Sequence, residues 1–156
     1  MSDLTEFLLA RIAEDEAVAE GAALDVGWDG FGESRIRSGQ RWVARYHEVC
    51  RPRPLPDEAP AEAFKRMTIA DCGALGLGPA RHIARHDPAR VLAECEAKRR
   101  IVAGLRESER LYDELCDEDS DQRWEYLFRS EALTFAAKSL ALPYADHPDF
   151  RGEWRA

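Results

Sequence analysis

The chain has 156 residues, which is enough for one domain with a hydrophobic core. Apolar residues form 45% of the sequence, so the composition is that of a globular protein and excludes a disordered chain. The 30 acidic and 22 basic side chains give a net charge of −8, which disfavours binding to a nucleic-acid backbone. We therefore expect a single acidic domain over residues 1–156.

The sequence carries no sign of a membrane or export segment. No stretch approaches the ~20 consecutive apolar residues of a membrane span, and the beginning of the chain is acidic and lacks the apolar core of a signal peptide. The four cysteines are widely spaced and form no Cys-x-x-Cys pair, which favours free thiols in a reducing compartment. These features predict a cytoplasmic protein with no membrane partner.

A first amphipathic helix is predicted over about residues 3–22. Apolar side chains recur at helical spacing from Leu4 to Ala22, and charged side chains fill the other face. Asp3 and Glu6 have the spacing of a capping box, which favours a helix start at this point.

A small antiparallel β element is predicted within residues 34–72. A short strand around Arg35 is expected among turns rich in Gly, Asp and Ser. Residues 41–50 concentrate aromatic and β-branched side chains and are predicted to form one strand, with residues 66–72 as its partner.

Two connecting segments flank the second of these strands. Three prolines at alternate positions in residues 52–56 forbid a helix and predict an extended linker, which is the only plausible hinge. The glycines of residues 73–79 predict a loop.

Two long helices are predicted in the second half of the chain, over about residues 88–116 and 121–142. The first begins with an acidic N-cap, Asp87, followed by Pro88, which is a typical helix start. The second carries apolar residues on two faces, which predicts burial on more than one side, inside the fold or in a dimer. The fold class is therefore α+β, mostly α, with these two helices packed antiparallel.

Three stretches of the chain have a distinctive order of residues. They are Phe7–Glu16, the run from Arg81 to Leu92 with the charged residues that follow it, and the run from Leu140 to Phe150 with Trp154. Together they resemble an uncharacterised family of actinobacteria and their phages, catalogued as domain of unknown function 6221. The resemblance implies an actinobacterial or prophage source and a cytoplasmic location, and it supplies no activity. Val26-Gly27-Trp28 stands where other members have a Pro-Gly-Pro-Trp element.

The best candidate for chemistry is a cluster of His82, His86 and Asp87. In a helix, His82 and His86 share one face, and two imidazoles with a carboxylate can bind a divalent metal. The favoured alternative is structural, because Asp87 is already explained as a helix cap and no H-E-x-x-H motif is present. A larger version would add the zinc-type ligands His47, Cys50 and Cys72.

The long helix carries Arg90, Glu94 and Lys98 at four-residue steps. This spacing is typical of a salt-bridge ladder on a solvated helix face, and a charged binding face is the alternative.

The C-terminal tail is rich in aromatic side chains and is the candidate partner-binding segment. The favoured interpretation is an aromatic clamp that closes the core, because exposed aromatic side chains promote aggregation. The alternative is a recognition segment for a protein partner. The residues concerned are Tyr144, His147, Phe150 and Trp154.

Three hypotheses for the function follow from the sequence. The preferred one is a non-enzymatic cytoplasmic interaction or regulatory protein that binds a protein partner or itself through helix faces. The alternative is a metal-binding protein or metal-dependent enzyme built on His82, His86 and Asp87. A third is a mimic of nucleic acid, suggested by the acidity, although interspersed Arg and Lys residues argue against it. No catalytic motif is recognisable, so no cofactor is expected, and only the metal-binding alternative would require a divalent metal such as zinc.

Overall fold

A computed structural model of the chain describes residues 3–23, 25–28, 33–36, 41–45, 48–50, 68–73, 77–115 and 121–155. The α-helices within these ranges are α1 (Asp3–Ala23), α2 (Leu77–Arg85), α3 (Pro88–Glu114) and α4 (Asp121–Ala141). The strands are β1 (Asp25–Trp28), β2 (Glu33–Ile36), β3 (Val43–Arg45), β4 (Glu48–Cys50) and β5 (Thr68–Asp71). Two short 3-10 helices follow α4, at Leu142–Tyr144 and Gly152–Trp154. The fold is α+β and mostly α, as the sequence predicted.

The three long helices that were predicted are all present, with ends that differ from the predicted ones by one or two residues. In the part of the chain that the structure describes, no helix is both long enough and apolar enough to cross a membrane.

The chain divides into two compact units. The first comprises Met1–Asp15 and Glu94–Ala156, and the second comprises Glu16–Ala93. The expectation of one domain over residues 1–156 remains a prediction, and the proline-rich linker lies outside the described residues.

The first unit has a helical core. Two contacts show that its α3 and α4 helices run antiparallel. Tyr112, near the end of α3, accepts a hydrogen bond from Arg123, near the start of α4, and Gly104, earlier on α3, faces Leu133, further along α4. A Cβ atom added at Gly104 would lie 3.5 Å from the Leu133 side chain, so the two helices are closely packed at that level. The buried apolar side chains are Leu4, Phe7, Leu8, Ile12, Cys95, Val102, Leu105, Ala137, Ala141 and Trp154.

The second unit combines two small sheets with α2. Strands β1 and β2 form an antiparallel hairpin, and β3, β4 and β5 form an antiparallel sheet with β4 in the centre. Helix α2 packs on this sheet through Ala80 and Ala84, which contact the buried Val49. Further apolar side chains pack around this contact, namely Trp42, Ala44, Ile69, Ala70, Cys72 and Ile83.

The structure corrects the predicted β element in two places. Residues 41–50 were predicted as one strand, but they contain β3 and β4, which pair with each other, with Val43 opposite Cys50. No Gly, Pro, Asn or Asp marks the reversal, so the local sequence gave no turn signal. The β structure also begins earlier than residue 34, because β1 starts at Asp25.

The predicted loop over residues 73–79 ends sooner than expected, because α2 begins at Leu77. Pro79 lies in the first turn of this helix, where a backbone N–H has no intrahelical acceptor and proline is tolerated. The glycine and proline therefore belong to the helix start.

Candidate functional site

The predicted histidine pair lies at the end of α2. His82 and His86 are both exposed, and their ring centroids are 4.6 Å apart. The Nδ1 atom of His86 lies 3.0 Å from the carbonyl oxygen of His82 and donates its proton to that oxygen. This arrangement presents two neighbouring imidazoles on a helix surface, which is a geometry that can offer two nitrogen ligands to a metal.

Asp87 is engaged as the N-cap of α3. The residue is only 4% exposed, and its Oδ1 atom accepts a hydrogen bond from the backbone N–H of Arg90 at 2.8 Å. Its Oδ2 atom accepts a bond from the backbone N–H of Trp42 at 3.3 Å and lies 3.8 Å from the guanidinium group of Arg41. Because both carboxylate oxygens are engaged, Asp87 would have to give up the helix cap to bind a metal.

Of the lower-ranked metal ligands, Cys50 and Cys72 lie in the described part of the chain, and they form no metal-binding group with the histidine pair. Cys50 is buried, with its Sγ atom donating to a carboxylate oxygen of Glu48 at 3.9 Å, and Cys72 is half-buried against the core of the second unit. His47 lies outside the described residues. Within the ranges that the structure describes, no three His, Cys, Asp or Glu side chains form a group that could hold a metal ion.

The C-terminal aromatic residues surround Phe7 on α1. The ring centroid of Phe7 lies 4.8 Å from that of Trp154 and 6.3 Å from that of Tyr144, with the rings of His147 and Phe150 at 5.7 and 6.1 Å. Phe7 is 7% exposed and Trp154 is 5% exposed. We call this group the Phe7 cluster. The tail side chains therefore contact α1 within the first unit, as an aromatic clamp would. The alternative of a recognition segment stays a prediction.

Cationic side chains lie over the rings of the Phe7 cluster. The guanidinium carbon of Arg11 is 5.6 Å from the Phe7 centroid, and that of Arg151 is 5.8 Å from the Trp154 centroid. Arg151 also forms an ion pair with Asp3, which ties the tail to the first turn of α1. Some of the charged groups that line the adjacent cleft, of about 500 Å³, have partners within the chain, namely Arg11 with Glu14 and Asp3 with Arg151.

A polar cluster that sequence reasoning missed joins α1, α3 and the tail. Tyr144 donates its hydroxyl proton to Asp15 Oδ2 at 2.5 Å, and Lys98 Nζ lies 3.2 Å from the same oxygen and 3.0 Å from the Tyr144 hydroxyl. The sequence placed Lys98 in a surface salt-bridge ladder, and this prediction is wrong because Lys98 turns towards Asp15 and Tyr144. No local signal joined these residues, because Asp15 and Lys98 are 83 residues apart in the sequence.

Two pKa shifts describe the chemistry of this cluster. Burial lowers the pKa of Lys98, but hydrogen bonds from Lys98 to Tyr144 and Asp15 outweigh that effect, and the pKa lies above its ordinary value. Burial, together with the Asp15 carboxylate, raises the pKa of Tyr144. At neutral pH the cluster therefore holds a protonated amine and a protonated phenol, which suits a structural tether better than a general base.

A row of large apolar side chains on α4 faces solvent. The exposed fractions are 50% for Trp124, 64% for Phe128 and 66% for Phe135, and Leu142, directly after the helix, is 47% exposed. At 3.6 residues per turn, these four positions fall within a sector of about 40°. We call them the α4 stripe. The prediction that this helix is buried on several sides within the fold is wrong for these residues, and the alternative of burial in a dimer stays a prediction.

The whole chain matches the model of one protein family. The match covers residues 1–156, and the family is described as a family of unknown function, DUF6221. The chain belongs to this family, which confirms the resemblance seen in the sequence. Comparisons with curated proteins and with solved structures found no match.

Proposed function

We propose that this protein is a non-enzymatic interaction or regulatory protein that self-associates through the α4 stripe. The observation that carries the proposal is the exposure of four large apolar side chains on one side of α4. Large contiguous apolar patches are rare on monomeric proteins and usually mark an interface. A second copy carries the same stripe, so a single patch supplies both halves of a two-fold interface.

The size of the α4 stripe sets the expected strength of this association. Each of the four side chains leaves roughly 100 Å² exposed, which gives the stripe about 400 Å² per copy. With polar residues at the edges, two stripes would bury about 1,000 Å² in total, which is the lower limit for a specific interface. We therefore expect a reversible dimer with a Kd in the micromolar range.

The roles of the polar groups support a non-enzymatic function. Asp87 caps a helix, and Lys98 and Tyr144 form a tether with raised pKa values. The net charge of −8 favours a protein partner over nucleic acid. A cytoplasmic location agrees with the presence of Cys50, Cys72 and Cys95 as thiols.

The proposal is tested by sedimentation equilibrium of the purified full chain over a wide range of concentrations. We expect a monomer–dimer equilibrium that shifts at least tenfold towards monomer in Phe128→Ser and Phe135→Ser. Val18→Ser is the matched control, because Val18 is 73% exposed but lies on α1, and it should leave the equilibrium unchanged. A wild-type chain that remains monomeric at the highest concentration would contradict the proposal.

The adjacency of the two exposed imidazoles favours one second candidate, a metal-binding protein or metal-dependent enzyme that uses His82 and His86. Native mass spectrometry combined with elemental analysis tests this alternative on the same sample. One zinc ion per chain that survives mild chelation and disappears in His86→Ala would support it. Metal content that is unchanged in His86→Ala would contradict it.

A further inference from the structure

Two charged residues that lie between members of the α4 stripe indicate how two copies would meet. Phe128, Phe135 and Leu142 are spaced seven residues apart, and Trp124 precedes Phe128 by four residues. This is the spacing of the two core positions of a heptad. Phe128, Phe135 and Leu142 occupy one of these positions, and Trp124 occupies the other. The position of Trp124 recurs at Glu131 and Lys138, so one exposed acid and one half-buried base lie in the seam.

The two possible helix orientations treat these charges differently. In a parallel pair, each core residue faces its own copy, so Glu131 would face Glu131 of the partner subunit and Lys138 would face the partner's Lys138. Both contacts are repulsive. In an antiparallel pair the order of one helix is reversed, so Glu131 of each copy lies near the partner's Lys138. The two-fold axis makes two such contacts, and both are attractive.

Resting on the proposed self-association, we propose that the α4 stripe binds the α4 stripe of a second copy in the antiparallel direction. Glu131 and Lys138 select this direction. In this pairing, a residue at one core position of the heptad faces a residue at the other core position of the partner helix. Trp124 then lies against the partner's Leu142, and Phe128 lies against the partner's Lys138. The lysine stem covers the exposed Phe128 ring, and its ammonium group lies above the ring face.

The long side chains can reach each other in this pairing. Glu131 then lies opposite the partner's Phe135, three residues along the helix from the partner's Lys138. At 1.5 Å of rise per residue this axial offset is about 4.5 Å, which a glutamate and a lysine together can span. The seam therefore carries apolar contacts at its two ends and two opposite-charge contacts near its centre.

The orientation is tested with charge reversals in the full chain, measured by sedimentation equilibrium. In an antiparallel dimer, Glu131→Lys and Lys138→Glu each turn two attractive contacts into repulsive ones, so each should weaken dimerisation by about tenfold or more. The double variant Glu131→Lys/Lys138→Glu should return the Kd to within about threefold of wild type. In a parallel dimer the single variants only exchange one like-charge contact for another, so unchanged dimerisation in both would overturn the proposal.

Two controls separate orientation from folding and from net charge. Glu125→Lys makes the same change of charge as Glu131→Lys on an exposed position of α4 outside the stripe, and it should leave the Kd within about threefold of wild type. Lys138 also lines a cleft with Glu109 and Glu153, where a new acid could disturb the fold. Lys138→Gln therefore accompanies Lys138→Glu, and it should weaken the dimer by a smaller factor while keeping the wild-type circular dichroism spectrum.

A distance measurement provides a second criterion. A spin label carried on an unnatural amino acid at the exposed Gln122 leaves the native cysteines unlabelled. The antiparallel pairing has its centre at position 133, so position 122 lies eleven residues from the centre on each of the two helices. At 1.5 Å of rise per residue, the two labels are expected to be about 30–35 Å apart. A separation near 10–15 Å would establish a parallel dimer and overturn the inference while leaving the proposed function intact. A monomeric wild-type chain would instead overturn both.

Discussion

The chain contains two aromatic segments close together in sequence, and their environments are opposite. The Phe7 cluster gathers Tyr144, His147, Phe150 and Trp154 around one ring of α1, and Trp154 retains only 5% of its surface in solvent. The α4 stripe leaves at least 47% of each of its four side chains exposed. Both segments carry large aromatic side chains. The side chains that pack around them distinguish a clamp from an open surface.

The positions of the cationic side chains in the first unit also differ between the Phe7 cluster and the α4 stripe. Arg11, Arg151 and Arg155 lie over rings of the Phe7 cluster, so these rings are covered by the chain's own side chains. Trp124 and Phe128 contact each other at a centroid distance of 6.5 Å, and both remain exposed. We therefore propose that the tail serves stability and that the α4 stripe serves association. The experiments below test this division, in order of decreasing effect.

The largest effect is expected from Trp154→Ala in the Phe7 cluster. Removing a buried indole deletes its contacts with Phe7 and Phe150 and leaves a cavity, which should lower the free energy of unfolding by about 3–5 kcal/mol. Urea denaturation followed by circular dichroism measures the change. Trp124→Ala is the matched control, because this indole is 50% exposed and should cost far less. Equal losses in the two variants would break the division between clamp and stripe.

A smaller effect is expected from Tyr144→Phe, which removes one hydroxyl from the tether between α1 and the tail. The change leaves Asp15 and Lys98 half-buried without this partner and should cost about 1–2 kcal/mol. Tyr112→Phe is the matched control, because that hydroxyl accepts a single hydrogen bond, from Arg123. We expect the control to lose less than half as much, again by urea denaturation.

The same tether predicts that the free energy of unfolding depends on pH in the alkaline range. The pKa values of Lys98 and Tyr144 are both raised in the folded state, so above pH 10 the folded chain holds more protons than the unfolded chain. The stabilising contribution is complete below the unfolded pKa values, near 10, and is lost as the pH rises through the folded ones. Unfolding free energies measured between pH 8 and about pH 11 should therefore fall more steeply for wild type than for Tyr144→Phe. Parallel curves would show that the tether does not couple to folding.

Much of the fold could be predicted from the sequence because its strongest patterns are local. Helical periodicity located α1, α3 and α4, and the Asp-Pro pair located the start of α3, where the cap is present at 2.8 Å. The division of residues 41–50 into β3 and β4 was missed because no turn residue marks it. The start of α2 was missed because its glycine and proline are equally typical of a loop. Local rules of that kind describe single elements and not their pairing.

The candidate sites depended more on contacts that are distant in sequence. Lys98 and Asp15 are 83 residues apart, so no spacing rule could join them. The two apolar faces of α4 were visible in the sequence, but which face is covered depends on where α3 packs. Gly104 on α3 faces Leu133, on the side of α4 away from Phe128 and Phe135. The sequence thus predicted a helix with a surplus apolar face, and the structure identifies that face.

The smallest effect on folding is expected from Phe135→Ser. This variant therefore separates the role of the α4 stripe in association from any role in stability. Because Phe135 is 66% exposed, its loss should change the unfolding free energy of the isolated chain by no more than about 0.5 kcal/mol. The melting temperature of wild type should nevertheless rise with protein concentration, because a dimer stabilises the folded state by mass action, and Phe135→Ser should remove that dependence. Thermal melts at several concentrations on both sides of the expected micromolar Kd separate the two contributions. A large loss of stability at the lowest concentration would mean that Phe135 contributes to the core, and the α4 stripe would then resemble the Phe7 cluster after all.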